Sequence, residues 1–456
     1  MLWRVTKKFQ FAADRVIPDP LVLCLVLVLI VFIAAFLGTP SSFMEVLSFF
    51  YDGFFGGLFL FGFQMGLIIL FAGTAAKAPL FARTVDRISK LPKSVSSALI
   101  FMLIFSAVTS WINWAFGLIL TPILSTQLCR NIKGLHFPLM VASGYAMMIM
   151  VQPLSLSTPV VNLMASPGHF LEEITGVVPA AGTAFNPVGL IAYGIMALVT
   201  IVVVVLTRPP EDEIIGLESA PATMLNAAEK VSIPRKEMSP ADKMNASKIL
   251  GYVFPALLTV YVVWYFANNG INMTTNFIIF FFFTACAWLY HSPLGLMTAI
   301  AENIGSIPQV VVQFPLYGAI MGMMSSSGLS TIIVNWLLSI STAKTFPVLT
   351  YWSASLLNLF VPSQGGQWAI QGPIIEAAAQ TLDVSYGLTA VCFMFGDEAT
   401  NLLQPFYVIP ALALLGMKLK AIWGYMAFLW VLWFVIASVC FYVLPESMGL
   451  LYQSGL

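Results

Sequence analysis

Two neighbouring acids, Asp397 and Glu398, stand in the otherwise uncharged stretch "FMFGDEATNLLQPFYVIPALALLG" at 393–416. Acids at membrane depth are costly to bury and mark ion or proton paths. Asp397, Glu398, Thr400, Asn401 and Gln404 are therefore assigned to a coupling Na+ or H+. A second set of polar residues is uncharged. "TSWINWAFG" (109–117) offers Asn113 and Trp114, and "VQPLSLSTP" (151–159) offers Gln152, Ser155, Ser157 and Thr158. "NLFVPSQGGQWAIQGP" (358–373) offers Asn358, Ser363, Gln364, Gly365, Gly366 and Gln367. Amides, hydroxyls and close-approaching backbone N–H groups can hold a carboxylate without a fixed positive charge. No Lys or Arg lies in these stretches, which suits a small monoanion better than a di- or tricarboxylate. Asn113, Trp114, Ser157, Thr158, Asn358, Ser363, Gln364, Gly365, Gly366 and Gln367 are the candidate substrate contacts. The plainer reading of both asparagines is an interhelical hydrogen bond, and of the glycines a permissive turn.

The elements that must position them belong in a bilayer. Of 456 residues, 59% are hydrophobic and 9% charged, with mean hydropathy +0.91, against about 25% charged in soluble domains. The chain reads as an all-α polytopic membrane protein of about nine transmembrane helices. Spans are expected near 20–37, 53–76, 137–160, 186–207, 249–267, 272–291, 306–324, 386–410 and 421–444. The run from Leu21 lacks a small-residue cleavage site and reads as a retained span. Acids near span ends, Asp52, Glu302 and Glu376, are assigned to interfacial solvation.

Basic residues mark the cytoplasmic side. Segment 97–127 has basic clusters on both flanks, and its 31 residues are too few for two crossings of about 20 residues each. It reads as a re-entrant hairpin from the cytoplasm, and 346–375 as its mirror from outside. With both hairpins, 19 of the 20 basic residues lie inside, all but Lys344. The N-terminus is then cytoplasmic. Breakers and amides at bilayer depth are tolerated where they are buried in protein or line a watery cavity, so 109–117 and 358–373 are the hairpin tips.

The halves repeat. Gln64 precedes Asn113 by 49 residues and Gln313 precedes Asn358 by 45; Asn113 precedes Pro159 by 46 and Asn358 precedes Pro405 by 47. The first inverted repeat is 1–207, with hairpin 97–127 and broken helix 137–160. A hydrophilic cytoplasmic linker follows at 208–248. The second repeat is 249–456, with hairpin 346–375 and broken helix 386–410, and the span at 249–267 switches parity. Inverted repeats with interrupted helices are the architecture of secondary transporters. Both tips and both breaks are expected to converge.

Other classes fit less well. The three histidines and five cysteines have neither metal-ligand nor triad spacing, so no enzyme, metal site or resident cofactor is expected. Within transport, the alternatives are another small organic anion, an amino acid, or cation/proton antiport. The partners expected are a small carboxylate and the lipid bilayer, with no nucleic acid.

"PDPLVL" at 18, "DGFFGGLFLFGFQMGLIIL" at 52, "INWAFGL" at 112, "LNLFVPSQGGQWAIQGP" at 357 and "LLQPFYVIPALALLG" at 402 resemble the short-chain fatty acid transporter family (AtoE-like). The resemblance runs in order along nearly the whole chain. It implies an ion-transporter-type fold with paired re-entrant hairpins, and uptake of short-chain monocarboxylates such as acetoacetate or butyrate. It further implies cation- or proton-coupled symport, elevator-type alternating access, a cell inner membrane location and a homodimer by analogy. The chain departs from the family where "MVQPLSLSTP" replaces a run of the form W-G-G-G-F-S-G. It departs again where "SQGGQW" replaces S-G-G-G-H-W, with Gln364 and Gln367 in place of Gly and His. Both departures fall at site segments and leave room for a related carboxylate or a different coupling ion.

Overall fold

The computed structural model describes residues 20–217, 239–269, 275–359, 364–403 and 419–453, with a few positions between 408 and 417. Ser363 and Gln404 lie outside the described residues. The main helices of the first half are α1 (Pro20–Gly38), α2 (Phe43–Phe54), α3 (Gly57–Ala76), α4 (Pro79–Ile88), α5 (Val95–Ile112), α6 (Trp114–Asn131), α7 (Phe137–Val151), α8 (Pro159–Met164) and α9 (Pro187–Leu206). The second half holds α10 (Lys248–Asn269), α11 (Thr275–Tyr290), α12 (Pro293–Asn303), α13 (Pro308–Ser326), α14 (Leu329–Ile340), α15 (Phe346–Asn358), α16 (Gln364–Leu382), α17 (Tyr386–Asn401) and α18 (Lys420–Ser447). Pro79, Pro159, Pro187, Pro293 and Pro308 each open a helix, where a missing N–H costs nothing and φ is already helical.

Among the described residues, six helices are long and apolar enough to cross a membrane. A seventh span results if α13 and α14, bent by 76°, count as one. α1 and α11 also contain shorter apolar helical stretches, Cys24–Gly38 and Asn276–Tyr290. The protein is thus a multi-pass helical membrane protein. The continuous apolar run at 53–76 conceals a break: α2 ends at Phe54 and α3 starts at Gly57.

Two helical hairpins are present, with arms longer than the apolar runs. In the first, α5 and α6 turn at Asn113. Ser106 Oγ lies 3.0 Å from Thr121 Oγ1, and Ser125 Oγ points at Met102 Sδ at 3.8 Å; each pair is equidistant from the turn, so the arms are antiparallel. In the second, α15 and α16 are tied by Gln367 Nε2 donating to the Ala354 carbonyl (2.9 Å) and Gln371 Nε2 to Ser353 Oγ (2.9 Å). The arms cover 95–131 and 346–382, beyond the expected 97–127 and 346–375, because polar residues at their outer ends continue the helices.

Contacts sort the helices into two groups. α5 to α9 and α15 to α18 form a core, and α1 to α3 pack with α11 to α13 around it. The hairpin arms α6 and α16 are the main bridges: α6 packs on α3 and α4, and α16 on α13 and α14. In the surround, α2 crosses α13 backbone to backbone. A Cβ built on Gly318 would lie 2.5 Å from the Gly53 carbonyl, and one on Gly322 2.6 Å from that of Phe49. Only glycine permits that approach.

The start of the linker folds back. The Phe137 N–H donates to the Ile215 carbonyl (2.9 Å) and the Ile215 N–H to His136 Nδ1 (3.0 Å). Burial pushes the His136 pKa down to about 4, which keeps that ring nitrogen an acceptor.

Candidate functional site

The first cluster joins hairpin tip and broken helix by hydroxyl-to-backbone bonds. α7 ends at Val151, a single 3-10 turn covers 152–154, and α8 resumes at Pro159. The last carbonyls of a helix lack intrahelical donors. Here the Ser155 hydroxyl lies 2.9 Å from both the Ser110 and Trp111 carbonyls of α5, and the Leu156 N–H donates to Trp111 (3.0 Å). Ser157 Oγ accepts from the Trp114 N–H at 3.0 Å, and the Thr158 hydroxyl donates to the Gln152 carbonyl. Asn113 is extended at φ −158°, and its side-chain oxygen caps α6 by accepting from the Phe116 N–H (3.3 Å). Asn113, Ser157 and Thr158 are buried and Trp114 half-buried.

The second cluster is built from amides and acids. Asn358, 0% exposed, ends α15 and aims its Nδ2 at three acceptors on α17. These are the Asp397 carbonyl, Thr400 Oγ1 (2.8 Å) and Asn401 Oδ1 (2.9 Å). Thr400 in turn donates to the Ser355 carbonyl (2.9 Å). Asn401 Nδ2 donates to Glu398 Oε2 at 2.9 Å, and Gln364 Nε2 reaches Glu398 Oε1 at 3.4 Å. Gln367 Nε2 also donates to Gln371 Oε1 (3.0 Å). Gly365 and Gly366 are buried in the first turn of α16, with Gly366 against the Tyr317 ring.

Asp397 is 0% exposed and Glu398 2%. Neither Asp397 oxygen meets a donor at bonding distance among the described residues, and Gln364 Oε1 and Gln367 Oε1 have no partner there either. Buried ionised carboxylates cost several kcal/mol each unless compensated. No Lys or Arg side chain lies in α15, α16 or α17, and the compensation in view is the Asn401 and Gln364 amides on Glu398. Among the described residues no group of three or more His, Cys, Asp or Glu side chains could hold a metal ion.

The clusters approach through their broken helices: α17 touches both α7 and the turn at 152–154, while each hairpin packs on the broken helix of its own half. Two features differ from the expectation. One is Ser155, named among the polar residues of the break but not among the contacts, whose two carbonyl partners are invisible without the turn. The other is Glu376, assigned to a solvated span end but 0% exposed. Its helix runs on to Leu382, so the end of the apolar run at 375 is not the end of the buried segment.

A family model described as short chain fatty acid transporter matches residues 1–444. An Escherichia coli (strain K12) protein named "Putative short-chain fatty acid transporter" is 32% identical over 93% of this chain and 96% of its own. A Haemophilus influenzae protein of the same name is 29% identical over 93% and 96%. Among solved structures, the Alcanivorax borkumensis YdaH transporter aligns with TM-score 0.56 and 14% identity, over 95% of this chain and 99% of that one, which shows a shared fold. The family comprises transporters rather than enzymes, and the chain belongs to it: it is a member of the short-chain fatty acid transporter family.

Proposed function

We propose that the protein is a secondary active transporter that carries a short-chain monocarboxylate, such as acetoacetate or butyrate, across the cell inner membrane. Coupling is to a cation or proton taken up by Asp397 and Glu398. The observation that carries this reading is a fully buried acid pair without a basic partner, beside a hairpin tip whose amides keep unused acceptor oxygens. A cation held there would supply the positive charge that a carboxylate needs. Asn113, Trp114, Ser157 and Thr158 line the opposing half of the same centre.

The topology belongs to the proposal: N-terminus inside, two inverted repeats at 1–207 and 249–456, a cytoplasmic linker at 208–248, and hairpins entering from opposite faces. Same-side contacts support it. Lys344 pairs with Glu446 at 2.6 Å, both on the outer side in this topology. Arg208 reaches Ser96, and Lys77 Nζ donates to Asn303 Oδ1 at 2.7 Å, all on the inner side. The core of hairpins and broken helices, bridged to its surround mainly by α6 and α16, is the body that would move in an elevator cycle.

The test is isotope uptake into proteoliposomes, with sodium and pH gradients imposed separately over a panel of two- to six-carbon acids. Flux equal to empty liposomes under every gradient would reject transport. Single-cysteine labelling is expected to reach positions 90 and 131 from one side and 344 and 383 from the other; a split within either pair removes the hairpins from the membrane.

A further inference from the structure

Glu376 lies on α16, twelve residues beyond Gln364, or about 18 Å along the helix from the hairpin tip. Neither carboxyl oxygen has a hydrogen-bond partner among the described residues, and the side chain is wholly buried. A structural acid is expected to cap a helix, pair with a base or accept from amides; Glu376 does none of these. Pro373, one turn earlier, removes the N–H that the Ala369 carbonyl would otherwise receive.

The helices packed against α16 carry no Lys, Arg or His, and the nearest histidine in sequence to them is His169, in the turn before the short helix at 172–175. α16 packs against α13, α14, α15, α17, α8 and the short helix at 172–175. The titratable groups on those elements are Tyr317 of α13, Tyr351 of α15, Tyr386, Cys392, Asp397 and Glu398 of α17, and Glu172 and Glu173 at 172–173; α8 and α14 carry none. Gln364 meets Glu398 and the Trp368 ring lies 4.8 Å from that of Phe393, so α16 runs antiparallel to α17 and carries Glu376 toward the start of α17, roughly 16 Å of helix rise from Asp397.

We propose that Glu376 is a second proton-binding carboxyl of the transport cycle, separate from the Asp397–Glu398 pair and placed between that pair and the outer face. This rests on the transporter reading and sharpens it, by making the proton a coupling ion. The carboxylate takes up one H+ when α16 faces outer water and becomes a neutral acid, which the apolar surroundings tolerate far better than the anion. It returns the proton when the same helix faces the inner side. No other bond forms or breaks.

The experiment compares wild type with Glu376→Gln and Glu376→Asp in proteoliposomes, after size-exclusion and thermal-melting checks on each purified variant. Butyrate accumulation driven by a pH gradient, counterflow exchange and dye-detected proton movement are each read above the flux through empty liposomes. Glu376→Gln is expected to lose accumulation and proton movement by roughly tenfold or more while exchange falls much less, and Glu376→Asp to restore part of both. A hydrophobic carbodiimide, which reacts with protonated carboxyls, should label position 376 in wild type and not in Glu376→Gln. Wild-type proton movement in Glu376→Gln, or no labelling at 376, overturns the assignment and leaves the transporter reading standing. Carboxylate uptake driven by sodium without proton movement overturns it too. Absence of any wild-type carboxylate flux removes the transporter reading, and this site with it.

Discussion

The two hairpins, α5–α6 with α7 and α15–α16 with α17, are fastened by opposite chemistry. In the first, Ser155, Ser157 and Thr158 are occupied by backbone partners, so the hydroxyls stitch a tip to a break. In the second, the Asn358 amide and the Thr400 hydroxyl do the stitching, and Asp397, Gln364 and Gln367 beside them retain unused oxygens. The halves also differ in how the broken helix seats. A methyl on Gly396 would strike the Tyr351 carbonyl, whereas one on Gly144 would meet the ends of Met102 and Thr121 side chains. Similar architecture can thus be fastened with neutral groups on one side and left chemically open on the other. The proposed function places ion chemistry in the second.

The sharpest break of this contrast is Asp397→Asn. Concentrative uptake should fall by roughly two orders of magnitude with little loss of thermal stability, since neutralising a buried, unpaired acid is rarely destabilising. Survival of accumulation in that variant would remove the assigned asymmetry. Next in size is the pair of asparagines. Asn358→Ala strands three acceptors on α17 and should cost about 1–3 kcal/mol in detergent melting. Asn113→Ala removes a helix cap and should cost roughly 1 kcal/mol. Both are expected to lose uptake while still inserting, and full activity in both would leave the amides as packing alone. Gly396→Ala, which must push against backbone, should cost about 1–3 kcal/mol, and Gly144→Ala less; the reverse order would mean that α7, not α17, is the rigidly seated helix. The smallest effect is expected from Ser157→Ala, about 1 kcal/mol or less in stability, with uptake reduced less than by Asp397→Asn. Abolished uptake at unchanged stability would make Ser157 a substrate ligand instead.

Much of the plan was legible because breakers are local. The Asn113 tip breaks the helix where the sequence reading expects it, whereas Gly365, Gly366, Gly372 and Pro373, expected in the second tip, lie inside α16, whose polar first turn is buried in protein. The acids at 397–398 stand out because their neighbours are apolar. What stayed hidden depends on three-dimensional partners. The carbonyls that Ser155 satisfies lie 44 and 45 residues earlier, and no spacing rule links them. Glu376 was misplaced because depth was judged from where charge first reappears, while the helix continues buried past that point. The break at Phe55–Gly56 was masked by uniform hydropathy.

The crossing of α2 over α13 at Gly53, Gly318 and Gly322 bears on where any large displacement can be absorbed. Surfaces that slide need deformable side chains between them, and at these three glycines there are none: main chain rests directly on main chain, like a rivet. Its two helices must travel, or stand still, together. A single methyl at position 318 would act as a wedge that pries the frame apart without touching the acid pair at 397–398.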